Sequence, residues 1–99
     1  DVRDAVKAYW VMMEKSPPGE VYNIGGEATV TIEEILTNLI QYSKSTIKYE
    51  TDPNLLRPSD VTLQIPSTDK FKELTGWKPQ INYEKTLLDL LNYHRAKIK

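Results

Sequence analysis

The 99-residue sequence contains no cysteine and only one histidine. Without cysteine there can be no disulfide framework, zinc ribbon or thiol nucleophile, and the composition suits a reducing compartment, so a cytoplasmic location is expected. His94 stands among leucines and lysines near the end of the chain, has no triad partner, and reads as a helix-surface or boundary residue. No metal-ligand spacing, internal repeat or low-complexity tract occurs. An excess of one charge is also missing. Thirteen Lys and Arg against fourteen Asp and Glu leave a formal charge of -1, so no global field draws the chain to nucleic acid or to an anionic membrane. Any anion must be held locally. No apolar run approaches the roughly 20 residues that cross a bilayer. Neither nucleic acid nor membrane is therefore an expected partner. The chain opens on "DVRDAVKAYW", without an initiator methionine and with a helical pattern already under way, which suggests a segment of something longer.

What is present is a regular alternation of element signals in a chain long enough for one modest core. Val2, Val6, Trp10 and Met13 recur at helical spacing and "SPPG" at 16–19 ends the pattern, which predicts a helix over Val2–Lys15. Val21, Tyr22 and Ile24 in "EVYNIGG" predict a short strand running into a tight turn. Thr31 with Glu34 three places later is a capping-box signature, followed by the apolar stripe Ile32, Ile35, Leu36, Leu39 and Ile40. "TIKYE" at 46–50 alternates like a second strand, and the helix between the two predicts parallel pairing through a right-handed crossover. The spacing also admits a short strand at Val61–Ile65. A third helix begins at Ser67 or Thr68, and Gly76 lets Trp77 fold back toward Phe71. Asn82 caps a final helix with Leu87, Leu88, Leu90 and Leu91 as its inner face and a basic end. The expected fold class is α/β, in an α+β-like form, with about four helices around a small, mainly parallel sheet.

Few residues invite a chemical role. Glu33 and Glu34 fall in a first helical turn, where the dipole favours negative charge, and read as capping residues. The glycine pair in "NIGGEAT" resembles a phosphate-cradling turn only loosely, since such pairs more often supply positive φ. Tyr9 and Trp10 read as core or interface aromatics. Arg57 stands out. It lies in the long irregular stretch "TDPNLLRPSDVTLQIPS", and loops of this length in compact domains are often functional. Pro58 biases Arg57 toward an extended backbone, so its guanidinium is presented with little ordering entropy left to lose, as suits a pyrophosphate. Asp60 either accepts hydrogen bonds from sugar hydroxyls or pairs with Arg57 to lock the loop.

Taken in order, "DVRDAVKAYW", "GEVYNIGG", "TIEEIL", "DPNLLRPSDV", "STDKFKELTGWKPQI" and "YEKTLLDLLNYHR" resemble the C-terminal end of nucleotide-sugar-modifying enzymes of the extended short-chain dehydrogenase/reductase family, in particular its GDP-sugar 4,6-dehydratases. "RPSD" and "TGWKP" are the specific part of the likeness. The resemblance implies an N-terminal Rossmann domain that holds NADP and a smaller C-terminal portion, residues 1–99 here, that grips a GDP-sugar. It implies a hydride taken from sugar C4, water lost across C5 and C6, and the hydride returned to C6. A glycine-rich dinucleotide turn and a Tyr-x-x-x-Lys pair carry that chemistry in the family, and both are expected outside this chain. The chain alone is therefore expected to hold no catalytic residue and no cofactor, and the full-length protein to be a homo-oligomer. By the same resemblance Arg57 matches the arginine on the nucleotide diphosphate and Asp60 an acid near the ribose. Arg3 and Asp4 match a structural pair on the helix that packs against the Rossmann part, and Trp77 is a packing residue. A related reductase or epimerase shares most of these features, and a free-standing protein-interaction module remains a reading from another class.

Overall fold

The first helix, α1 (Val2–Lys15), begins where Asp1 can cap it, its carboxylate accepting from the Arg3 N–H at 2.9 Å. The computed structural model describes residues 1–60 and 63–98. The helix ends at Ser16 because the two prolines that follow cannot continue it. In α2 (Ile32–Tyr42) the full capping box forms: Thr31 Oγ1 accepts from Glu34 N at 3.0 Å and Glu34 returns a bond to Thr31 N at 2.9 Å. A single 3-10 turn at Pro53–Leu55, capped by Asp52, opens the long loop. The short α3 (Asp69–Thr75) and the long α4 (Tyr83–Lys97, capped by Asn82) complete the chain.

No strand forms among the described residues, so the expected sheet is overturned. A strand exists only as half of a ladder, and neither predicted segment meets a partner. The first is tied to a helix instead: Lys70 of α3 donates to the Val21 carbonyl at 2.9 Å, and Tyr22 stacks edge-on against Phe71 with ring centroids 5.6 Å apart. Residues 46–50 keep their alternation but are exposed throughout, with no apolar layer to press onto. Of the strand expected at Val61–Ile65, Val61 and Thr62 lie outside the described residues, and 63–65 are not in a ladder.

The helices pack in two pairs, α1 on α3 and α2 on α4. In the first pair Asp4 and Ala8, one turn apart on α1, are buried, and Phe71 of α3 is fully enclosed. Trp77 closes over Phe71 edge-on at 5.8 Å, as the sequence predicts, because Gly76 turns the chain at φ +70° and its N–H returns to the Lys72 carbonyl at 2.7 Å. In the second pair Tyr83 Oη accepts from Asn38 at 2.9 Å, and Arg95 donates to the Tyr42 carbonyl at 2.8 Å, closing the end of α2. Leu87 is the buried residue of α4, whereas Leu88 and Leu90 are exposed. Four leucines within five positions span more than one helical face, and only those one turn apart can look inward together. The radius of gyration is 17.4 Å against roughly 13 Å for a compact chain of this length, so the helices form an open layer with a thin core.

Gly76 gives this arrangement a sharp test. A methyl group there would meet no neighbouring atom, so only the left-handed backbone opposes it. Gly76→Ala should cost about 1 kcal/mol, read as a lower urea midpoint with an unchanged slope, and Gly76→Asn should cost less.

Candidate ligand-binding site

The loop after the 3-10 turn carries Arg57 and Asp60 at the surface, with side chains 76% and 72% exposed. Asp52 stiffens its start by accepting from Asn54 N at 2.9 Å, and Pro58 fixes the residue after Arg57. The structure brings the two predicted residues together, but loosely: Arg57 Nη1 and Asp60 Oδ1 are 3.8 Å apart. An exposed pair at that distance contributes roughly 0–1 kcal/mol, too little to hold a loop by itself. The guanidinium faces water with most of its fork open to an anion.

A cleft of about 640 Å³ lies elsewhere, between the start of α1, the Gly25–Gly26 turn and the start of α4. Neither Arg57 nor Asp60 lines it. Asp1, Asp4, Glu27 and Glu84 do, Asp1 paired with Arg3 and Glu27 with Lys72, and no Lys or Arg side chain lines the cleft to hold a diphosphate. The Gly25–Gly26 turn is not a phosphate cradle. Neither glycine has positive φ, contrary to the usual reason for such a pair, and a Cβ on Gly25 would strike the Pro66 ring, so the turn exists for a close chain approach. Residues 27–31 separate it from α2, where the capping box takes the Thr31 and Glu34 amides. These features do not fit the pyrophosphate of a dinucleotide such as NADP, which needs a glycine turn feeding straight into a free helix N-terminus.

Asp4 is the residue whose importance the sequence conceals. Only 2% exposed, it spans from α1 to the segment before α4, accepting from Ile81 N at 3.0 Å. That hydrogen bond holds its carboxyl below the ordinary value; burial opposes the shift, and the nearby Gln80 amide and the positive charges at the start of the chain assist it. Its Oδ1 is sealed off and has no hydrogen-bond partner among the described residues. The signal available in the sequence was Ala8, one turn on, marking that face of the helix as the close-packed one. Because the folded pKa is depressed, the stabilisation is complete above the unfolded value near 4 and is lost as pH falls through the lowered one. As pH falls below about 5 the melting temperature should drop more steeply for the native chain than for Asp4→Asn. Parallel melting curves across that range check this. Arg3 next to it is structural as well, gripping Asp1 at 2.8 Å and Asp89 of α4 at 2.8 Å.

A Tyr-x-x-x-Lys spacing does occur in this chain, at Tyr93 and Lys97 of α4, and corrects the expectation of its absence. The pair stands outside both the cleft and the Arg57 loop. Lys97 Nζ lies over the Tyr93 ring, 4.4 Å from its centroid, and Tyr93 also meets His94 edge-on at 5.3 Å on an exposed helix end. An ammonium on the ring face, with no concave site around the hydroxyl, is a surface cation–π contact. Among the described residues no group of three or more His, Cys, Asp or Glu could hold a metal, and no helix is long and apolar enough to cross a membrane.

The related proteins act on sugar nucleotides. GDP-mannose 4,6 dehydratase 2 of Arabidopsis thaliana is 34% identical over 84 residues, covering 83% of this chain and 22% of its own length. GDP-6-deoxy-D-mannose reductase of Pseudomonas aeruginosa is 24% identical over 99 residues, covering 100% of this chain and 33% of its own length. A dTDP-D-glucose 4,6-dehydratase of Mus musculus is 28% identical over 101 aligned positions, 93% of this chain and 27% of its own. The chain thus resembles one segment of sugar-nucleotide dehydratases and reductases, and spans about a fifth to a third of their length. Residues 1–90 match the model of the GDP-mannose 4,6 dehydratase family, and the chain belongs to that family.

Proposed function

We propose that this chain is the sugar-nucleotide-binding part of a GDP-mannose 4,6-dehydratase, a lyase that forms GDP-4-keto-6-deoxymannose and whose NADP-binding Rossmann part and catalytic residues lie outside these 99 residues. One observation carries the reading: Arg57 is presented on a stiffened, exposed loop with its fork uncommitted, inside the "RPSD" motif. In this reading Arg57 holds the diphosphate as a bidentate partner and Asp60 approaches the ribose, so the chain binds and orients while hydride and proton transfers occur elsewhere. The assembled enzyme is a homo-oligomer. A reductase is the second reading, favoured by the Pseudomonas relative's alignment over the entire chain.

Saturation-transfer NMR, which registers weak contacts, tests the proposal on the chain itself. GDP and GDP-mannose should receive signal at millimolar concentration and mannose should not, with dTDP a poorer competitor than GDP. Absence of contact with any nucleoside diphosphate would defeat the reading in favour of a protein-interaction module.

A further inference from the structure

The four helices make two bodies, each tied within itself. Tyr83 and Arg95 of α4 bond to Asn38 and to the Tyr42 carbonyl of α2, at 2.9 and 2.8 Å, and so fix the second pair. On the first, α3 holds the segment that follows α1: Lys70 pairs with Glu20 at 2.7 Å, Lys72 pairs with Glu27 at 3.2 Å, and the Phe71 ring meets Tyr22. Among the described residues no helix of one pair approaches a helix of the other within 8 Å between Cα atoms. Two of the three chain connections between the bodies run past the same cleft, one at 28–31 and one at Asn82, just beyond the point where Asp4 pins Ile81. Ala28, Val30 and Asn82 line that cleft together, and the third connection, 43–68, is a long loop. Two links set side by side, with an opening of about 640 Å³ beside them, make a pivot.

The side chains that reach from α1 to α4 each have a second partner on their own side. Arg3 Nη1 donates to Asp89 Oδ2 at 2.8 Å, and Thr86 Oγ1 donates to Asp1 Oδ2 at 2.7 Å. Released from Asp89, Arg3 still holds Asp1 through Nε at 3.0 Å and Nη2 at 2.8 Å, and the Asp1 side chain, only 5% exposed, keeps it on α1. Asp89 still has Lys85, one turn back on its own helix, at 2.8 Å. The Thr86 hydroxyl lies 3.0 Å from the Asn82 carbonyl and can turn its proton there. Opening the joint therefore orphans no polar group, and a bond that is exchanged costs far less than one that is lost. We infer that the α2–α4 pair is hinged on the α1–α3 pair at 28–31 and Asn82, and that Arg3–Asp89 with Asp1–Thr86 is the latch that keeps the two pairs together. This goes beyond nucleotide binding and does not depend on it.

Because the chain has no cysteine, spin labels can be attached at chosen exposed positions. Labels at Glu73→Cys on α3 and Gln41→Cys on α2 report the distance across the joint, and labels at Lys7→Cys and Glu73→Cys, both on the first pair, serve as the control. Pulsed electron spin resonance of the native chain should give one dominant distance across the joint. Asp89→Ala with Thr86→Val removes both latch partners from α4 and leaves α1 intact. This double variant should raise the population of a second, longer distance roughly tenfold, with the control distance and the helix content by circular dichroism unchanged. Lys85→Ala separates a latch from ordinary weakening of α4. It takes away the group that competes with Arg3 for Asp89, so the joint should stay closed, whereas a merely destabilised helix would respond to it as to Asp89→Ala. An unchanged cross-joint distance in the double variant would overturn the inference. A longer distance in Lys85→Ala, or a control distance that moves along with the other, would overturn it equally.

Discussion

Replacing Phe71 with alanine is expected to unfold the chain at room temperature. The ring is fully enclosed, and Tyr22 and Trp77 converge on it. Its loss should cost about 3–5 kcal/mol through lost transfer energy and the cavity left behind. A domain of this size has roughly 5–15 kcal/mol in total, and an open layer with so few enclosed apolar residues belongs near the bottom of that range. The backbone around the ring depends on it too: Thr75 Oγ1 donates to the Phe71 carbonyl at 2.8 Å and accepts from Trp77 N at 3.0 Å, a connection that holds only while α3 ends against the aromatic pair. Far-UV circular dichroism and a urea titration measure the outcome. Phe71→Leu, which keeps most of the volume but not the edge-on contacts, should remain folded with a lower midpoint. A cooperative transition in Phe71→Ala at the native midpoint would show that the three-ring cluster is not the core.

The helices were legible because their signals are local. A cap, a stop and a 3.6-residue stripe all fall within one segment, and Asp1, Thr31, Gly76 and Asn82 act as their chemistry requires. Strands are different, since Val21–Ile24 and Thr46–Glu50 carry the right side chains but need a distant partner that no local pattern supplies. Asp4 was read only as half of a structural pair, because an acid in the first turn of a helix looks like dipole compensation until its contact with Ile81, 77 residues away, is seen. Tyr93 and Lys97 show the converse. Their spacing fits a catalytic motif, yet on one exposed turn it amounts to a cation over a ring. The Arg57 loop was legible as an irregular, exposed segment, but its separation from the cleft depends on how the helices pack.

If the proposed role is right, Arg57→Ala in the full-length protein should weaken GDP-sugar binding by the cost of a charge-assisted pair, on the order of 1.5–3 kcal/mol, or roughly ten- to a hundredfold in affinity. Folding should hardly change, because the guanidinium is exposed and its 3.8 Å approach to Asp60 is too long and too wet to brace the loop. Arg57→Lys should recover only part of the affinity, since an ammonium is a point charge and cannot match two phosphate oxygens with a planar fork. The competing role predicts another pattern. If Arg57 served to lock the loop through Asp60, Arg57→Ala and Asp60→Ala would each lower thermal stability, and the double variant would cost little more than either alone. Calorimetric titration with GDP beside a melting curve for each variant separates the two. An unchanged GDP affinity in Arg57→Ala would remove the diphosphate from this loop. Because no Lys or Arg side chain lines the cleft at the start of α1, no other described surface of the chain would then be an evident place for it.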